Sequence, residues 1–198
     1  VKSPGIVILY GPPTSGKTSL SKELKSRYPM SYSILRKYKL GKGNFDEYTK
    51  TNALRFTILE MLQYFTNVTK RHGNKYGVAK NHIRKTRNLL IISTASDVEV
   101  DKIKRASSKV DLPCVIIALT DSKEVMLQRL EDRKLTKADM DDRINLWWST
   151  GYSKDMGFSP HLVIDTGLLS LELTVDIADF TVNKYVMDYY STLGAVKK

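Results

Sequence analysis

Ile6-Val7-Ile8-Leu9-Tyr10-Gly11-Pro12-Pro13-Thr14-Ser15-Gly16-Lys17-Thr18-Ser19-Leu20 is the stretch from which the rest of the chain can be read. Its first five residues form a continuous apolar run, the pattern of a strand buried on both faces. Gly11 to Thr18 fit G-x-x-x-x-G-K-[ST], and Ser19 to Tyr28 reads as a helix. In that order, strand, glycine-rich turn and helix aim backbone N–H groups at a phosphate, and the helix N-terminus adds a favourable dipole. Lys17 can reach β- and γ-phosphates, and the Thr18 hydroxyl can ligate Mg²⁺. The loop predicts ATP and Mg²⁺ as cofactors. They would be held by Gly11, Pro12, Pro13, Thr14, Ser15, Gly16, Lys17, Thr18 and Ser19, with Thr18 as metal ligand. A glycine-rich turn without a ligand is the bland alternative, and the setting between a buried strand and a helix argues against it.

Further along, Leu89 to Ile92, Cys114 to Leu119 and Leu162 to Ile164 are also continuous apolar runs. Helical stretches fit between and after them: Val98 to Ser108, Ser122 to Arg133, Lys137 to Thr150 and Leu171 to Tyr190. Alternating strands and helices predict an α/β fold with right-handed crossovers and a doubly wound parallel sheet. Residues 31–78 break the rhythm with turn signals at Gly41, Gly43-Asn44, Gly73-Asn74 and Gly77 and one amphipathic helix near Asn52 to Phe65. They read as a small insert on the core.

With 198 residues the chain has the size of one domain able to bury a substantial core. No apolar run approaches the roughly 20 residues of a membrane span, and the N-terminus lacks the long apolar core of a signal peptide. The single cysteine, Cys114, excludes an internal disulfide and suits a reducing cytoplasm. A net charge of +11 calls for phosphate-bearing partners. The cations are spread along the chain without the aromatic–basic repeat of single-strand binders, which disfavours a polynucleotide partner. A small phosphorylated acceptor is the expectation, with no membrane partner.

Phe65-Thr66-Asn67-Val68 followed by His72-Gly73-Asn74-Lys75-Tyr76-Gly77 resembles the acceptor-site signature of the guanylate kinase family. Val115 to Arg143 resembles that family's last strands and lid, and the likeness runs over nearly the whole chain. It implies a P-loop kinase fold and one guanylate kinase-like domain over residues 1–198. Its core would be 1–30 and 79–198, its acceptor-binding insert 31–78 and its helical lid about 129–143. Arg36 and Lys39 fall where the family has two arginines on the acceptor phosphate; Tyr48 and Tyr76 fall on its two phosphate-binding tyrosines. Lysine keeps the charge but loses bidentate geometry. Arg129, Arg133 and Arg143 match the lid arginines that, with Lys17, would stabilise charge on the moving phosphoryl group. Helix-surface pairing with nearby acids is the alternative, worth only about 0–1 kcal/mol a pair.

The departures bear on specificity. Asn67 stands where the family carries a glutamate that reads guanine, and Val78 where it carries a hydroxyl near the base. After Leu89 to Ile92, Ser93-Thr94-Ala95-Ser96 replaces an acidic pair, with Asp97 and Asp101 further on. The resemblance therefore implies an ATP-dependent kinase acting on the phosphate of a nucleotide with a base other than guanine. Ribose 1,5-bisphosphate phosphokinases, a related branch, also lack the guanine-reading glutamate, so a sugar-phosphate acceptor is the alternative. A non-catalytic guanylate kinase-like binding module is a further one, opposed by the intact loop. Cys114 reads as a buried small hydrophobe, and His72, His82 and His161 have no metal-ligand spacing. At least one of Trp147 and Trp148 reads as core. Asp139 to Asp142 reads as a solvated helix start.

Overall fold

The computed structural model describes residues 3–41, 48–71, 73–133, 135–149 and 156–196. Gly43-Asn44 and His72 lie outside them. Strand β1 (Gly5–Tyr10) is buried along its whole length. It pairs in parallel with β7 (Leu89–Thr94) on one side and β8 (Cys114–Thr120) on the other. Beyond these lie β2 (Tyr32–Ile34) next to β7 and β9 (Leu162–Asp165) next to β8, giving a parallel sheet in the order β2-β7-β1-β8-β9. The strands have continuous apolar runs because helices cover both faces. Val7 and Leu9 point into one core layer with Leu20 and Leu24 of α1 (Lys17–Arg27) and Val175, Ala178 and Val182 of α7 (Leu171–Val196). Ile6, Ile8 and Tyr10 point into the other, with Ile83 of α3 (Lys80–Arg84) and Val100 and Ile103 of α4 (Asp97–Ser108). Each such aliphatic side chain stabilises by about 1.5–3 kcal/mol. These layers set the sheet so that the loop after β1 emerges at its C-terminal edge, where α/β folds place ligands.

A second sheet carries β3 (Lys37–Leu40), β4 (Tyr48–Lys50), β5 (Phe65–Arg71) and β6 (Asn74–Ala79) in the order β4-β3-β6-β5. Apolar periodicity does not announce these strands, because they are short and rich in cations and polar residues. Tyr32 to Ile34 also differs from the sequence expectation. It was read into the insert, but it is an edge strand of the core sheet, held by pairing with Leu89 to Ile91. The predicted helix from Asn52 to Phe65 is shorter. Here α2 (Ala53–Met61) is capped by the Asn52 side chain, which accepts from Arg55 N. Beyond it Gln63 takes φ 50°, a left-handed conformation that ends the helical run. Phe65 then belongs to β5.

Period-2 alternation gives the second sheet two unlike faces. One face packs aromatic rings: Tyr38 with Tyr64 (5.9 Å) and Phe65 (5.5 Å), and Phe56 of α2 with Phe65 (4.9 Å). Gly77 sits under this cluster, where a Cβ would come within 2.6 Å of the Phe65 ring. The other face carries Lys37, Lys39, Tyr48, Tyr76, Val78 and Asn67, brought level by the registers Lys37↔Tyr48, Lys39↔Tyr76 and Asn67↔Val78. Helices α5 (Lys123–Glu131) and α6 (Lys137–Ser149) follow β8 and close around Met126, Leu130 and Trp147.

Candidate active site

Helix α1 begins at Lys17, earlier than the predicted Ser19, so the loop runs straight into its first turn. Gly11 has φ 155°, and a Cβ there would lie 2.4 Å from Leu119 O and 2.6 Å from Ser15 Oγ. Only glycine lets the chain pass so close to β8. Gly16, the residue before α1, has φ 84° and brings no capping side chain, and the first turn holds no acid. By contrast α2, α4 and α5 are capped by Asn52, Ser96 and Ser122. An uncapped N-terminus without acids is what an anion requires. Lys17 Nζ donates to Gly11 O (2.8 Å) and Pro12 O, so its ammonium already lies inside the curve of the loop. These residues fit the phosphates of a nucleotide. Thr18, at the second helical position, fits the metal ligand of such loops. Among the described residues no cluster of three His, Cys, Asp or Glu could hold a metal, so a cation would rest on Thr18, phosphate oxygens and water.

Arg129 of α5 is held beneath the loop. Its Nη1 donates to Thr14 O (3.1 Å), Thr166 Oγ1 (2.9 Å) and Asp121 Oδ2 (3.3 Å), and its Nη2 to Thr166 O (2.7 Å). These bonds tie Arg129 to the loop at Thr14 and to the turn after β9 at Thr166. Asp121, with a fully buried side chain, also accepts from Trp147 Nε1 (3.1 Å) and Thr14 Oγ1 (3.2 Å). Burial raises the Asp121 carboxyl from its ordinary value, against the opposing pull of Trp147, Arg129, Thr14 and Lys17. Trp147 is the core tryptophan of the pair; Trp148 is 58% exposed. Arg133 is exposed after α5, and Arg143 is half-buried on α6 with no polar partner among the described residues.

On the second sheet, Lys39, Tyr48 and Tyr76 form one cradle. The Lys39 ammonium lies 5.3 Å from the Tyr48 ring centre and 5.9 Å from that of Tyr76, and the two rings are 5.4 Å apart. Lys39 is only 5% exposed. Desolvation lowers its ammonium from the ordinary lysine value. Arg36, exposed between β2 and β3, has no polar partner among the described residues. Asn67 is buried; its Oδ1 accepts from Lys102 Nζ (2.9 Å), and its Nδ2 finds no partner among the described residues. Val78 beside it is also buried.

Folding also buries an acid that the sequence reading does not single out. Glu99, one turn into α4, is 3% exposed. Thr94 Oγ1 donates to its Oε2 (2.8 Å), and Lys37 Nζ lies 2.5 Å from its Oε1. The signal was present as a capping box, Ser96-x-x-Glu99, whose serine accepts from Glu99 N. Cys114 is half-buried, not fully buried as its apolar strand suggests, and desolvation pushes its thiol up to about 12. His161 accepts from Ile116 N through Nδ1 (3.0 Å) and packs on Tyr185, a structural role. Asp139, Asp141 and Asp142 are exposed, and Thr136 caps the start of their helix.

Parallel sheet, buried strand and uncapped loop together define the chain as having the fold of P-loop kinases. Residues 7–146 match the AAA domain family, and the chain belongs to that family. Among solved structures it is similar to guanylate kinase from Anaplasma phagocytophilum, with TM-score 0.61 and 14% identity over 94% of this chain and 88% of that one. It is also similar to a gluconokinase from Sinorhizobium meliloti 1021, with TM-score 0.56 and 13% identity over 97% of this chain and 99% of that one. No curated protein matches it in sequence. Among the described residues no helix is long and apolar enough to cross a membrane.

Proposed function

We propose that the chain is an ATP-dependent phosphotransferase of the nucleoside monophosphate kinase type, acting on a nucleotide with a base other than guanine. The pairing of an uncapped loop carrying Lys17 with a separate cradle of Lys39, Tyr48 and Tyr76 carries this reading. It offers one place for a donor's phosphates and one for an acceptor's. Bound ATP and Mg²⁺ would supply the phosphoryl group and part of its counter-charge. The loop N–H groups and Lys17 hold donor oxygens, and Thr18 serves the cation. Lys39 and the two phenols fix the acceptor phosphate, with Arg36 reaching in from the connector. Arg133 and Arg143 close over the developing charge and exclude water, while Arg129 keeps the loop in shape. No general base is required, because the attacking phosphate oxygen is already ionised.

Asn67 separates this reading from guanine recognition. Its only acceptor atom faces the Lys102 ammonium, so the amide shows a donor where guanine's N–H edge needs an acceptor. The same fact favours a second reading, a sugar-phosphate acceptor that presents no base. ADP release from Mg-ATP, measured against all common ribo- and deoxyribonucleoside monophosphates and ribose 1,5-bisphosphate, tests both. Turnover with one nucleotide other than a guanine nucleotide is expected. Turnover with the sugar phosphate alone selects the second reading, and silence across the panel sinks both.

A further inference from the structure

Away from the loop and the cradle, a groove of ≈ 400 Å³ runs between α3 and α4 beside the start of β5. Lys80 and Arg84 of α3 line one side of it, and Lys102 and Arg105 of α4, with Lys109 at its C-terminal cap, the other. The α4 cations recur at i, i+3 and i+7, so they form a single stripe about 10 Å long. No acid lines the groove among the described residues, and Lys80, Arg84, Arg105 and Lys109 have no acidic partner there. The adjoining surface adds Lys104 and a single acid, Asp101. Between the two rows of cations, Ile83, Ala106 and Val110 supply an apolar lining. At the β5 end the Thr66 hydroxyl is buried with no hydrogen-bond partner among the described residues.

Uncompensated like charges around a concave apolar lining repel one another, and a polyanion relieves that repulsion. The volume lies in the range of small-molecule sites, roughly 300–1,000 Å³. We propose that this groove is a second binding site, for a nucleoside polyphosphate whose ring lies on the half-buried Ala106 and Val110 and whose phosphates meet the two cationic rows. Lys102 belongs to the groove and also donates to Asn67 on the acceptor face, so an occupant shares a residue with that face.

Titrating ADP onto the isotope-labelled full chain and following amide NMR shifts tests this directly. Two sets of shifts should appear, one over residues 11–18 and one over 80–84 and 102–109, saturating at different ADP concentrations. Raising salt should weaken the second set more steeply. Arg84 and Arg105 are exposed, so the double variant R84E/R105E should keep the wild-type melting temperature. It should lose the second set by tenfold or more in affinity and leave the first unchanged. Lys17→Ala should do the reverse, which keeps a failure of the loop reading distinguishable from a failure of this one. Absence of shifts over 80–84 and 102–109, or equal affinity of wild type and R84E/R105E there, overturns the site. Tighter binding there by a 5′-phosphorylated ten-nucleotide strand than by ADP also overturns it and makes the groove a nucleic-acid surface.

Discussion

The loop after β1 and the polar face of the second sheet both carry lysines that the proposed function assigns to phosphate, and they are built in opposite ways. Gly11 to Thr18 come from one continuous segment, their backbone fixed by local conformation and by Arg129, Thr166 and Asp121 beneath. Lys39, Tyr48 and Tyr76 come from three strands and meet only through register. The loop offers backbone donors that no side-chain substitution removes. The cradle consists of side chains alone, with a buried ammonium in place of dipoles. The contrast teaches that donor binding should withstand most single changes, whereas acceptor binding should depend on each member of the trio.

The largest expected effect tests the loop's one indispensable side chain. Lys17→Ala should lower turnover on the order of 10³-fold by ADP release, since a fixed charge at the transferring group is lost. Its circular dichroism and melting temperature should match wild type. An active, folded variant would end the comparison on the donor side. Lys39→Ala comes next: the acceptor KM should rise about 10²-fold while the KM for ATP stays put, because one charge-assisted contact disappears from the cradle alone. A matching rise in both constants would show that the two regions are not separate sites.

Asp121→Ala reaches the loop from below. It leaves Arg129, Trp147 Nε1 and Thr14 Oγ1 without their shared acceptor, in a setting where the carboxylate is fully buried. Removing one partner of a buried pair costs about 3–5 kcal/mol, so denaturant melting should show a loss near the lower end, as Arg129 is partly exposed. Turnover should fall about tenfold through a misplaced loop, with the acceptor KM unchanged. Unchanged stability would mean that the lid helices and the loop are not coupled through this carboxylate.

What the sequence could disclose follows the same division. The core strands and helices were legible because each is a local pattern: a continuous apolar run for Ile6 to Tyr10, and an apolar stripe for Val175, Ala178, Val182 and Val186. The loop was legible for the same reason. The second sheet was not, since Lys37-Tyr38-Lys39-Leu40 carries its alternation in cations and phenols and not in aliphatics. Tyr32 to Ile34 was missed as a core strand because three residues leave no period to read. The ties of Glu99 to Lys37 and of Asp121 to Trp147 span 62 and 26 positions, and no local rule connects such pairs. Resemblance placed Arg129 near the right loop yet could not say which of its atoms the guanidinium would meet.

The smallest expected effect, a few-fold change, sharpens the comparison most, because only the cradle should depend on pH in this way. Desolvation lowers the Lys39 ammonium, so the empty folded chain is penalised while Lys39 is charged, and the penalty fades as pH rises through the lowered value. A phosphate dianion in the cradle favours the ammonium again, so acceptor binding takes up a proton in that window. Affinity should therefore improve above about pH 6, as the acceptor's phosphate becomes a dianion. It should then weaken by a few-fold as Lys39 loses its proton below the ordinary lysine range. The KM for ATP should follow the alkaline limb less, since most of the loop's donors are backbone N–H groups, which do not titrate. Lys39→Arg, which holds its charge across the range, should abolish that limb and leave the acid limb in place. An alkaline limb that survives in Lys39→Arg would assign the titration to another group and leave Lys39 only a packing role between Tyr48 and Tyr76.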